Sequence, residues 1–249
     1  MSLKDDIVST VNYAKSFGCV LSREQVMERL IGQKNYELGI RNYEFKHQKL
    51  DKAKRLAEML GNKFKNILFI GVTGSVAAEF PKKNDDIDLF IIVRNNTLWM
   101  TRFWVRIFVF VNKIPHRKFG AKEQKDEFCF NIWLDESALK LPKNKQNLRN
   151  AVDMILMKKV YDKNNIYARF LKANEWAKKW VATPYFNLIK NYELRITNYE
   201  LRITNYEFKI KNYELRITNL IYFLPQYIYL KLKCRGDVVD LHRAMWGNG

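Results

Sequence analysis

Asp86 and Asp88 stand one residue apart in Asp85-Asp86-Ile87-Asp88-Leu89, at the head of an apolar run that ends at Val93. The period of two along a strand sends both carboxylates to one face, while Ile87 and Leu89 leave from the other. Two carboxylates so placed can hold Mg²⁺, a hard ion that takes oxygen ligands and shares them with substrate phosphates. Upstream, Ile67 to Thr73 is a second apolar run, closed by a turn at Gly74-Ser75. Backbone N–H groups and the Ser75 hydroxyl at that turn can meet those phosphates. Metal ligands and phosphate donors on adjacent elements are the layout of a phosphoryl-transfer site.

An apolar strand, Gly74-Ser75, a short helical stretch and then Asp86-x-Asp88 on a second strand resemble the nucleotidyltransferase-fold superfamily, whose relatives include DNA polymerase β and aminoglycoside nucleotidyltransferases. The layout is also similar to uncharacterised bacterial nucleotidyltransferase-like proteins. The resemblance implies an α+β fold, with a small mixed β-sheet flanked by helices and further helical segments at both ends. It implies a two-metal transfer of a nucleoside monophosphate from an NTP to a hydroxyl acceptor, with Mg²⁺ or Mn²⁺ on Asp86 and Asp88 and release of pyrophosphate. Such enzymes carry a third carboxylate on a later strand. The strand Phe128 to Leu134 has Asn131 in that slot. An amide can offer its carbonyl oxygen to a metal but cannot take a proton. Asp126, Glu127, Asp135 and Glu136 flank the strand and are candidates to substitute through a loop. The alternative is a catalytically impaired relative that binds a nucleotide or a partner.

The elements that must position these residues are legible around them. Leu98 to Val111 reads as a crossover helix, packed on the sheet by its Trp and Phe residues. It is too short for a membrane span, which needs about 20 apolar residues. Arg102 and Arg106 are four apart and share a helical face. Arg102 is the first candidate to meet the triphosphate. Lys49 to Leu60 reads as an amphipathic helix leading into the first strand. Before it, Asp5 to Ile31 reads as two short helices, the second opened by a Ser22/Gln25 capping box. That pair is similar to the opening of a winged-helix domain, although the third helix and wing are missing. After the core, Asn147 to Val160 and Ile166 to Val181 carry helical spacing. Leu220 to Lys233 reads as a helix with Pro225 near its start, and Asp237 to Trp246 as a short terminal helix. The expected organisation is an N-terminal helical region 1–61, a core 62–140 and a C-terminal helical region 141–249.

Two stretches interrupt that plan. From Asn191 to Thr218 the chain reads NYELRIT, NYELRIT, NYEFKIK, NYELRIT, and related copies fill Asn35 to Gln48. Tyr, Leu and Ile fall at the second, fourth and sixth places of each unit, which is not the three-four spacing of a coiled-coil seam. As a strand, the odd period flips the apolar face in each successive copy. Neither gains a continuous stripe, so 35–48 and 191–218 are read as insertions outside the core, with local helix from Glu, Leu and Arg. Lengthening a surface loop costs little, about 0.6 kcal/mol per doubling.

Composition limits the remaining classes. In 249 residues, 44 Lys and Arg oppose 26 Asp and Glu, for a formal charge of +18. Such an excess attracts nucleic acid, an anionic membrane or polyphosphate and says nothing about fold. The expected partners are an NTP and an acceptor that is RNA, protein or a small molecule, with nucleic acid added by the charge. Cys19, Cys129 and Cys234 are scattered without metal-ligand spacing, which argues against a disulfide framework. His47, His116 and His242 are equally isolated. With no signal-peptide pattern at the start and no span, the expected location is cytoplasmic.

Overall fold

A computed structural model describes residues 2–32, 48–79, 81, 84–117, 125–196, 207–233 and 238–245; the side chains of residues 131, 193–196, 207–213 and 233 lie outside the described set. Repeat residues 35–47 and 197–206 therefore fall outside it as well. In chain order the helices are α1 (Leu3–Ser16), α2 (Arg23–Glu28), α3 (Gln48–Lys63), α4 (Gly74–Ala77), α5 (Leu98–Val111), α6 (Leu148–Leu156), α7 (Ile166–Ala173), α8 (Lys178–Ile196) and α9 (Glu207–Lys233). The strands are β1 (Ile67–Thr73), β2 (Ile87–Val93), β3 (Phe128–Asp135), β4 (Lys158–Asp162), β5 (Val238–Asp240) and β6 (Arg243–Met245). The chain divides into two compact units, Met1–Lys46 with Lys140–Met157 and Ala168–Glu200, and His47–Leu139 with Lys158–Tyr167 and Leu201–Gly249.

The first unit is helical. Capping boxes open α1 at Ser2/Asp5 and α2 at Ser22/Gln25, each satisfying a backbone N–H that the helix start leaves unpaired. The second box is the one expected from sequence. After α2, Gly32 pairs with Val181 as an isolated parallel bridge. The Ile31 N–H donates to the Thr10 hydroxyl, which donates to the Asp6 carbonyl, so α1 holds that segment. Buried Asn174 accepts from the Leu141 N–H and donates to the Phe170 carbonyl, joining two stretches that are far apart in sequence.

The second unit holds a six-stranded mixed sheet in the order β4-β1-β2-β3-β6-β5. The β2–β3 pair is parallel and every other pair antiparallel. A parallel pair needs a crossover, and α5 supplies it. Because β1 is buried along its whole length, it reads as a continuous apolar run. One sheet face packs Ile70, Val72, Leu89, Ile91 and Trp133 against Leu56 and Leu60 of α3, Trp99 and Val105 of α5 and Leu230 of α9. On the other, Phe69 stacks on Tyr167 and meets Phe90 edge-on. The fold class is thus α+β with a mixed sheet flanked by helices.

Three expectations about the elements are corrected. Helical spacing through Val160 ends earlier, at Leu156, and β4 takes Lys158–Asp162 because the outer edge of β1 has backbone groups to satisfy. Where a short helix is expected over Asp237 to Trp246, the described residues 238–245 instead form a hairpin, β5 and β6, that extends the sheet beyond β3. Pro225 lies inside α9 rather than near its start, on the exposed side where water can serve the carbonyl it leaves unbonded. The last repeat copy, 212–218, is helical within α9. Asn219, immediately after it, accepts from the Trp99 and Met100 N–H groups and caps α5, whose own N-cap residue Thr97 makes no such bond.

Candidate metal centre

Asp88 sits where three strands come into register. It pairs with Thr73, the last residue of β1, and with Cys129 near the start of β3. Gly74 follows Thr73 with φ +68°, in the left-handed region where a side chain is strained. A Cβ at Gly74 would also overlap Asp88 Oδ2. Glycine there is required twice over, by backbone conformation and by the carboxylate pressed against it. The phosphate turn and the carboxylate pair expected from sequence are therefore in contact. Ser75, the next residue, is half-buried in the first turn of α4. The exit of α4 is pinned by Lys158, whose ammonium lies 2.7 Å from the Glu79 carboxylate.

Among the described residues, Asp86, Asp88 and Cys129 form the group with metal-ligand potential, their ligand atoms all within 4.8 Å of one another. Asp86 is only 4% exposed, so the pair does not open as freely to solvent as two adjacent aspartates suggest. Arg117 Nη1 lies 3.0 Å from Asp86 Oδ2 and neutralises part of the charge. The segment carrying Arg117 is laid along β3: Phe128 N–H donates to the Pro115 carbonyl and Arg117 N–H to the Phe128 carbonyl. Burial, then the Asp88 and Asp86 charges, push the Cys129 thiol far up from its ordinary range. The hydrogen bond to Asp86 adds to that rise, and the nearby Arg117 charge opposes it.

The loops under the site are held by lysines. Lys49 of α3 donates to the Asp85 carbonyl and lies 3.3 Å from Asp126, and Lys52 lies 2.8 Å from Asp126. The Lys52 hydrogen bond, ahead of Lys49, holds the Asp126 carboxyl below the usual carboxylate range. Asp126 N–H reaches the Asp85 carbonyl and Ile87 N–H the Glu127 carbonyl, so the entries to β2 and β3 are fixed together.

The candidates for a third carboxylate fare differently from the pair. The Asn131 side chain lies outside the described set. Asp126 is committed to Lys49 and Lys52. Asp135 ends β3, six residues past Cys129 and so about 20 Å along the strand. It is fully buried and accepts from the Asn96 N–H and from Ser137, while Glu136 accepts from the Asn95 N–H. None of these acids joins the described metal-ligand group. Arg102, expected at the triphosphate, is buried between α5 and α9, where Nη1 donates to Gln226 Oε1 and the guanidinium lies over the Trp99 ring. The basic side chain on the carboxylate pair is Arg117. In the sequence Arg117 is one of 44 Lys and Arg residues and Cys129 one of three scattered cysteines, and neither has a local motif around it. The alternation Phe128-Cys129-Phe130 was the signal available, since apolar neighbours on the core face put the thiol on the opposite one.

Neither a protein-family model nor a curated protein matches this chain.

Proposed function

We propose that this chain is a divalent-metal-dependent nucleotidyltransferase, moving a nucleoside monophosphate from an NTP to a hydroxyl acceptor. The observation that carries the reading is the contact between the Gly74 turn and the Asp88 carboxylate, with Asp86 and Cys129 in the same cluster. The donor set fits a divalent cation. Two carboxylates suit Mg²⁺ or Mn²⁺, and the thiol shifts the balance toward Mn²⁺ and softer ions. Asp86, Asp88 and Cys129 are the residues that would hold it. When bound, the metal supplies positive charge shared with the phosphate oxygens.

In this reading the turn at Gly74 and Ser75 receives phosphate oxygens, and the missing side chain at Gly74 lets the Asp88 carboxylate lie directly against that turn. Arg117, 3.0 Å from Asp86, balances part of the carboxylate charge and would offer its planar guanidinium to the nucleotide's phosphate. The acceptor hydroxyl gives up its proton to solvent water as its oxygen bonds to the α-phosphorus, the bond to the α–β bridging oxygen breaks, and pyrophosphate leaves. The site chemistry demands only a hydroxyl of the acceptor, which RNA, protein and small molecules all offer. A second reading, a relative that binds nucleotide without turning it over, is favoured by one observation: the described β3 residue beside the pair is a thiol, not a carboxylate.

Incubation with each labelled NTP, Mg²⁺ or Mn²⁺ and cell extract tests both readings. Metal-dependent transfer of label with pyrophosphate release supports the first. Metal-dependent binding without transfer supports the second, and no binding with either metal ends both. Asp88→Ala should weaken metal-dependent NTP binding at least about tenfold, the loss of one charged ligand. Cys129→Asp and Asn131→Asp separate the two places for a third carboxylate. General-base assistance is worth roughly 10²–10⁴-fold, so the productive position should be evident in the transfer rate.

A further inference from the structure

Helices α3, α5 and α9 share one core, yet only α3 has the outer face of an ordinary surface helix. Away from the sheet, α3 presents Lys54, Arg55, Glu58, Asn62 and Lys63, with Met59 the one large apolar residue among them. The exposed side of α9 instead carries Ile217, Leu220, Ile221, Leu224, Ile228 and Leu232, each between 45 and 83% exposed. Their spacing of three and four places them on one stripe, about 22 Å long at the helical rise. The opposite stripe, with Asn219, Tyr222, Phe223, Gln226 and Leu230, is the one that meets α5 and the core. Beside it, α5 exposes Trp104, Ile107, Phe110 and Val111. A helix apolar on both sides has a second partner to cover it.

Charge indicates what that partner is. α5 contains no Asp or Glu; the exposed charged side chains described on the two helices are Glu214, Arg216 and Lys231, with Lys113 just after α5, an excess of positive charge. A second copy would bring the same excess of positive charge to this face and leave it unbalanced. Nucleic acid would leave the Leu and Ile stripe uncovered. An anionic lipid surface satisfies both features, taking the apolar stripe at the acyl boundary and the cations among the headgroups. Trp104 and Tyr229, both exposed on this face, are the residue types that settle at that depth. Among the described residues no helix is long and apolar enough to cross a membrane, so the attachment lies in the surface plane. We infer that the exposed face of α5 and α9 docks the protein on a membrane containing anionic lipid.

Flotation of the full chain with vesicles tests this, using phosphatidylcholine alone and phosphatidylcholine mixed with phosphatidylglycerol. The mixed vesicles should bind at least about tenfold more protein, a preference that falls with added salt, since each surface cation contributes about 1 kcal/mol. Combined Ile221→Ser, Leu224→Ser and Ile228→Ser should lose that binding at least about tenfold while circular dichroism and melting stay unchanged, because all three positions are exposed. Lys113→Glu with Lys231→Glu should remove the preference for anionic vesicles. Brominated lipid should quench fluorescence in the wild type and less so in Trp104→Phe. Failure of the wild type to float with either vesicle overturns the inference, as does equal flotation of the triple-serine variant. Concentration-dependent dimerisation abolished by the same serines, without vesicle binding, assigns the face to self-association and overturns it too.

Discussion

At residue 74 a methyl group would have to share space with the Asp88 carboxylate, and the backbone is already in the left-handed region. Gly18 provides an internal control: its φ is +71°, and a Cβ there meets nothing within 4 Å. Gly18→Ala should therefore cost only the backbone term, about 1 kcal/mol, and Gly74→Ala that term plus the displacement of Asp88, roughly 2–3 kcal/mol in all. Denaturant midpoints of the two variants check the difference; equal losses would mean that Asp88 moves aside freely. Asp86 is a different case from an exposed carboxylate, since it is buried and paired with Arg117. Sequence alone suggests that its removal relieves repulsion with Asp88. The ion pair means that Asp86→Ala also takes a charged partner from the half-buried Arg117 guanidinium.

At the scale of elements, the far end of β3 is a junction. Asp135 caps the turn after β2 through the Asn96 N–H, and its own N–H donates to the His242 carbonyl in the β5–β6 hairpin. The His242 ring lies 3.6 Å from the Asp135 carboxylate, and the Asp135 hydrogen bond, against some burial, raises its pKa. Its folded value lies above the unfolded one, so this contribution is fully present below about pH 6.5 and is lost as pH climbs through the raised value. The ring is part exposed and screened, so the effect should be below about 1 kcal/mol. Thermal melts at several pH values should show the decline in the wild type and its absence in His242→Gln.

At the scale of the whole molecule, two units carry separate pH responses. In the helical unit, burial pushes the Asp153 carboxyl up to about 6, only partly offset by Arg149. The fold favours the protonated form, so stability is highest below the unfolded value near 4 and declines as pH rises to about 6. Asp153→Asn should raise the stability of that unit at pH 7 by on the order of 2 kcal/mol and leave it unchanged near pH 3.5. Hydrogen exchange followed by unit distinguishes this window from the later one of His242. A single decline in both units at the same pH would contradict the assignment.

The sequence by itself determined whatever depends on near neighbours. Asp86-x-Asp88 on an apolar strand, the Gly74 turn before it, the α5 crossover and the Ser22 cap are all set by alternation, helical period or a few flanking residues. Tertiary structure decided whatever depends on a partner far along the chain. Val238 to Met245 became strands because β3 had an open edge, and Lys158 to Asp162 because β1 had one. Arg102 went to Gln226, 124 residues away, while Arg117 came to Asp86 through the pairing of residues 115–117 with β3. Cys129 became a neighbour of both aspartates through the register of β3 on β2, and no spacing within the sequence encodes that register. Local preference is worth tenths of a kcal/mol per residue, and an unsatisfied strand edge or a buried unpaired charge costs more, so long-range partners prevail where the two conflict.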